Sequence, residues 1–165
     1  MHCSYNLSVI DICTNQYSMG IGWVQVCDDQ ILHKFSAQIQ LWPSSYKAEL
    51  VSILSAISTC PCNSQIQIYT DSLSIILKYN KLLKKPLISS KILSLKYWPI
   101  WVTLLNYIKS FNLTINFYKV QAHNDNIYND NADYLAKHHL LLPFSNLIIL
   151  IFIIFTIYYS LKTFQ

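Results

Sequence analysis

Gln65-Ile66-Gln67-Ile68-Tyr69-Thr70-Asp71-Ser72 alternates polar and apolar residues and ends in a carboxylate. Period-two alternation places Ile66, Ile68 and Thr70 on one side, so a strand is predicted over 65–70. Upstream, Pro43-Ser44-Ser45 signals a helix start with the hydroxyls as caps. Leu50, Ile53, Leu54 and Ile57 then recur at helical spacing, and a helix to about Ser58 is expected, ended by Cys60-Pro61-Cys62-Asn63. Downstream, a helix from about Ser72 to Leu83 stops before Pro86, because proline removes a donor and clashes with the preceding turn. Asp71 therefore sits where a strand gives way to a helix, the place where ligand sites gather in mixed α/β sheets.

Farther out, three segments precede this unit: Tyr5 to Ile10, Gly20 to Val26, and Ile31 to Ile39. Asp28-Asp29 is a turn signal, so the three read as an antiparallel meander. Gly20 and Gly22 suggest close backbone approach at the start of the second strand. Beyond Pro86, Leu87 to Ser94 reads as a loop or short helix and Trp98 to Ser110 as a helix with Trp101, Leu104, Leu105 and Ile108 on one face. Leu113 to Val120 is a fifth strand, Asn124 to Tyr128 a polar loop, and Asn129 to His139 a final helix. The order β-β-β-α-β-α-α-β-α predicts an α/β fold with a five-stranded mixed sheet flanked by helices. The crossover from the third strand to the fourth makes those two run parallel.

The chain has 165 residues, about one domain, with 53% hydrophobic and 12% charged residues, which excludes a disordered chain. Net charge is +4, and all twelve basic residues are Lys, which act on phosphate as point charges rather than planar forks. Lys78, Lys81, Lys84, Lys85, Lys91 and Lys96 cluster, and no acid lies between Asp71 and Asp125, so this stretch is a local positive field. The five Cys match no zinc pattern and read as reduced thiols of an intracellular protein, nuclear or cytoplasmic, and no signal peptide is evident.

Carboxylates are scarce. Glu49 is the single Glu and lies inside the first helix; Asp133 lies in the last helix between Ala132 and Leu135. Glu49, Asp71 and Asp133 at such positions suggest a shared site. Clustered carboxylates repel unless a divalent cation neutralises them, and oxygen-only donors point to Mg2+ or Mn2+.

Three stretches together resemble type 1 ribonuclease H, of the retroelement or fungal kind. They are Lys47-Ala48-Glu49-Leu50, Ile68-Tyr69-Thr70-Asp71-Ser72, and Val120-Gln121-Ala122-His123 followed by Asn129 through Asp133, Leu135 and Ala136. The resemblance covers roughly residues 4 to 140. It implies metal-dependent hydrolysis of the RNA strand of RNA–DNA hybrids with two Mg2+ or Mn2+ ions and no small-molecule cofactor. Glu49, Asp71 and Asp133 would be metal ligands and His123 would assist proton movement or product release. Ser44 and Ser45 would touch the minor groove, with Ser72 and Asn129 as supporting polar positions. Lys78, Lys81, Lys84 and Lys85 match a basic substrate-binding protrusion.

The sequence departs from the pattern in two places. The family's first strand carries an Asp-Gly-Ser in which the Asp bridges both metals. Tyr5-Asn6-Leu7-Ser8 is the matching segment, which would put Asn6 in the Asp position; Asp11 is the only nearby acid to substitute, so the fourth metal ligand would be Asp11, or weakly Asn6. The domain is expected over 1–140 with a clipped N-terminus. The second departure is 141–165, where Leu147 to Tyr159 is apolar except for Thr156, a candidate membrane anchor although short of the ~18–20 residues of a span. The competing expectation is a catalytically impaired nucleic-acid-binding remnant, membrane-tethered in one version.

Overall fold

The computed structural model describes residues 2–13, 17–40, 44–84, 94–120 and 127–138. Among the described residues, five strands and four helices follow one another: β1 (His2–Cys13), β2 (Tyr17–Cys27), β3 (Gln30–Gln40), α1 (Ser45–Ile57), β4 (Gln65–Thr70), α2 (Leu73–Leu83), α3 (Trp98–Ser110), β5 (Thr114–Lys119) and α4 (Ile127–Lys137). This is the expected order. The first three strands are longer than the apolar pattern alone indicates, because ladder pairing continues past the residues that face the core.

One mixed sheet holds all five strands in the order β3-β2-β1-β4-β5. β1, β2 and β3 pair antiparallel; β4 pairs parallel with β1 on one side and with β5 on the other. β3 and β4 do run the same way, as the crossover rule requires, but two strands separate them. Asp28 and Asp29 join β2 to β3 with φ 48° and 59°. Two consecutive positive φ values make the mirror-image turn whose twist matches a hairpin, and Asp tolerates that region better than most residues.

The core lies between the sheet and α1 with α3. Tyr5, Leu7, Ile21, Trp23, Ile66 and Ile68 meet Leu50, Ile53, Ile57, Trp101 and Leu104, all essentially inaccessible to solvent. Truncating one such aliphatic side chain to Ala costs about 2–5 kcal/mol. Leu54, expected in that face, is half-buried, whereas Ala48, Val51 and Ala56 are buried, so α1 is enclosed on more than one side.

α4 covers the opposite face, against β1, β2 and β3. It starts at Ile127, two residues earlier than the polar composition suggests, because its first turn is stabilised from outside. Tyr128 Oη donates to the Asp29 carbonyl at 2.9 Å, and Asp130 complements the positive end of the helix. Gly22 is what lets α4 approach. A Cβ there would stand 2.7 Å from the Ala132 carbonyl oxygen and 2.8 Å from the Ala136 nitrogen. Ser36 Oγ adds a hydrogen bond to the Leu135 carbonyl at 2.7 Å. Among the described residues, no helix is long and apolar enough to cross a membrane; the segment 141–165 lies outside them. Cys62 is an exposed free thiol.

Candidate active site

β4 delivers the site through the parity of a strand. Ile66, Ile68 and Thr70 point into the core, so the last of them brings a hydroxyl, not a methyl, up against α1. Thr70 Oγ1 donates to Glu49 Oε2 at 2.9 Å and accepts the Ser72 backbone N–H at 3.1 Å. A single hydroxyl thereby ties α1 to the end of β4 and to the turn that opens α2. Asp71, next in the chain, is exposed, and its carbonyl accepts the Leu73 N–H at 3.0 Å.

Glu49 is only 6% exposed. Acids that deep are almost always paired. Burial drives its carboxyl up to about 8, and the neighbouring Asp71 charge adds to this; Asp71 also shares a hydrogen bond with it, while Asp133 raises it less and the Thr70 hydroxyl pulls it down. Two carboxyls can stay within hydrogen-bonding reach only while a proton or a cation stands between them. Asp133 is half-buried on α4, one turn after the buried Asn129. The seating of α4 on Gly22 thus decides how near Asp133 comes to Glu49.

The fold therefore brings Glu49 and Asp71 into contact and Asp133 within electrostatic range. Among the described residues, no three His, Cys, Asp or Glu side chains are grouped closely enough to hold a metal ion. The donors present are all oxygens, a set suited to a hard divalent cation and not to zinc.

The first strand is placed by its register alone. Asn6 pairs with Tyr69 of β4 and Val24 of β2, and the β1–β4 pairing runs from His2 to Asn6. Asp11 pairs with Met19 and lies five residues farther along β1. His123 and Lys85 lie outside the described residues.

Ser44 and Ser45 open α1 one turn ahead of Glu49. Ser44 caps through its backbone only, its carbonyl accepting the Ala48 N–H at 2.9 Å. The expected side-chain cap is not made, although Ser44 has the extended backbone usual for a capping residue. Ser72 Oγ lies 3.3 Å from Ser74 Oγ at the start of α2. Lys78 is half-buried, and Lys81 and Lys84 are exposed. At ~1.5 Å per residue, Lys81 stands about 12 Å along α2 from its first residue.

Thr70 was not among the residues singled out from sequence. Its signal was present: a hydroxyl on the buried parity of a strand, directly before the carboxylate.

The family described as RNase H matches residues 11–140. No curated protein matches the chain. Among solved structures, the foamy viral protease-reverse transcriptase in complex with dsDNA superposes with a TM-score of 0.59 at 18% identity, covering 84% of this chain and 94% of that one. At that identity the likeness speaks for the fold.

Proposed function

The chain belongs to the RNase H family, and from that premise we propose that it is a divalent-metal-dependent endonuclease hydrolysing the RNA strand of RNA–DNA hybrids. The observation that carries this reading is the Glu49–Asp71 pair, in which a buried Glu49 held by the Thr70 hydroxyl meets the exposed Asp71, with the charge of Asp133 reaching Glu49. Such an arrangement is poor as a structural device, because two like charges in contact destabilise a fold unless something neutralises them.

Glu49, Asp71 and Asp133 would hold Mg2+ or Mn2+, two ions in all, with a residue of β1 completing the set. When bound, the ions would supply positive charge to the attacking and leaving oxygens of the phosphodiester. Thr70 fixes the Glu49 carboxylate so that one oxygen stays oriented by a hydrogen bond while the other is left for a ligand. His123, on the segment ahead of α4, would carry a proton to or from the cleaved backbone at neutral pH. Ser44 and Ser45 would meet the 2′-hydroxyls of the minor groove, which distinguish an RNA strand from DNA. Ser72 and Asn129 would support Asp71 and Asp133. Lys78 and Lys81 on α2, Lys84 at its C-terminal end, and Lys85 would bind phosphates away from the cleaved bond.

A labelled hybrid tests the reading. With Mg2+ or Mn2+ the chain should cut the RNA strand alone; a chelator, or Asp71→Asn, should abolish cutting.

One observation favours a second reading, a hybrid-binding protein that cuts poorly. On the resemblance, Asn6 would stand where the family has its first carboxylate; the family match itself begins at Asp11, which lies beyond the stretch of β1 that pairs with β4. A neutral amide binds a hard divalent cation far more weakly than a carboxylate. Hybrid that is bound but left intact in the same assay would establish this reading over the first. The retroelement-like subtype, the division at residue 140 and a membrane anchor in 141–165 are proposals resting on the sequence.

A further inference from the structure

The N-termini of α1 and α3 meet at Tyr46, three residues ahead of Glu49 in the chain, and the residues there are aromatic and cationic. Tyr46 stacks on Tyr97 with ring centroids 6.2 Å apart and planes 22° from parallel. Lys96 Nζ lies 5.1 Å from the centroid of the Tyr97 ring. Both tyrosines are half-buried and Lys96 is exposed. The next residue, Trp98, is 39% exposed. With no acid between Asp71 and Asp125, the α3 side of this patch supplies no carboxylate to oppose a phosphate.

The backbone makes the patch unusual. Tyr97 sits at φ 60°, ψ 33° as the residue before α3. A bulky aromatic in the left-handed region is a true outlier, and such strain gathers at binding sites. Asn or Gly would make the same turn more easily. A purely structural account is available, since both tyrosines also pack against the edge of the core. It explains the rings but not the cation held over one of them.

Building on the hybrid-binding reading above, we propose that Tyr46, Tyr97 and Lys96 form a stacking site for an unpaired nucleotide flanking the hybrid. The base lies flat on the tyrosine pair and Lys96 moves from the ring to the adjoining phosphate. Aromatic stacking accepts any base, because every base has a π face. The protein would then prefer hybrids that end in, or adjoin, a single strand.

The test compares binding of a blunt RNA–DNA hybrid with the same hybrid carrying a short RNA or DNA extension, in the Asp71→Asn background so that nothing is cut. The extended hybrid should bind about tenfold tighter. Tyr97→Gly and Tyr97→Asn, both compatible with the left-handed turn, should remove that preference while leaving the affinity for blunt hybrid. Lys96→Gln should lower the slope of log affinity against log salt on the extended hybrid by roughly one phosphate contact. Equal affinity for blunt and extended hybrids, or a preference that survives in both Tyr97 variants, overturns the stacking site and leaves the hybrid-binding reading standing. Failure to bind the blunt hybrid at all overturns both.

Discussion

β1 and β4 lie side by side and run parallel, yet the two strands serve the site differently. β4 ends in a Thr-Asp pair whose hydroxyl reaches across to α1 and whose carboxylate meets Glu49. β1 passes the same level with neutral residues: continuing the pairing of Asn6 with Tyr69, Ser8 would stand opposite Asp71. One half of the site is thus fixed by hydrogen bonds, and the other half is placed by strand register alone. The costly part is Glu49, a buried acid held against the exposed Asp71.

Removing the β4 carboxylate should have the largest effect. Asp71→Asn keeps the shape of the side chain and deletes the charge. If the pair holds a divalent cation, several kcal/mol of transition-state stabilisation disappear, so RNA-strand cleavage should fall by about three orders of magnitude. A single-turnover assay on labelled hybrid measures this. Cleavage within tenfold of wild type would show that β4 does not carry the reaction.

The complementary experiment adds charge to β1. Asn6→Asp should raise cleavage by about ten- to a hundredfold if Asn6 stands at the metal-bridging position. Asp11→Asn should then change little. The opposite result, activity lost with Asp11→Asn and unaffected by Asn6→Asp, would identify Asp11 as the working ligand. By register the two positions are five residues apart, about 17 Å of strand, so they cannot substitute for one another without a local slip.

The same contrast explains what was legible in the sequence. Elements with strong periodicity were read directly: β4 by alternation, and α3 by Trp101, Leu104, Leu105 and Ile108, all of which are buried. Their patterns come from facing one core, a local property of the chain. Glu49 and Asp71 are legible because charge is rare in this sequence, Glu49 falling inside an apolar helix and Asp71 at the end of a strand. Thr70 is not, because its role depends on a partner 21 residues away. Ser44 looked like a side-chain cap and is not one, since capping composition does not determine rotamer or backbone direction. Ile127 and Tyr128 looked like loop because the carbonyl that holds Tyr128 belongs to a distant hairpin. The left-handed turn at Tyr97 had no sequence signal, as an aromatic residue is the wrong type for it.

A smaller effect should follow from loosening the element that brings the third carboxylate. Gly22→Ala places a methyl 2.7 Å from the Ala132 carbonyl oxygen, so α4 must shift. Overpacking of this sort costs about 1–3 kcal/mol. Denaturant melts should show that loss. Cleavage should fall further than stability alone explains at a temperature where the variant is still folded, because Asp133 rides on α4. A variant equally active per folded molecule would show that the position of Asp133 is not critical.

The subtlest prediction concerns the fixed half of the site without metal. Glu49 has a carboxyl held at about 8 in the folded chain, against 4.5 when free. A group with a raised folded-state value favours the fold when protonated. Its contribution is therefore complete below about pH 4.5 and is lost as pH climbs through about 8. In the presence of a chelator, thermal stability should decline across that window, and Glu49→Gln, which stays neutral, should flatten the decline. Added Mn2+ should raise the melting temperature of the wild type most at the alkaline end, where a proton no longer competes for the Glu49–Asp71 pair. It should do much less for Glu49→Gln. A pH profile identical in both proteins would mean that the buried acid is neutralised by something other than a proton or a cation, and the argument from the β4 half of the site would fail with it.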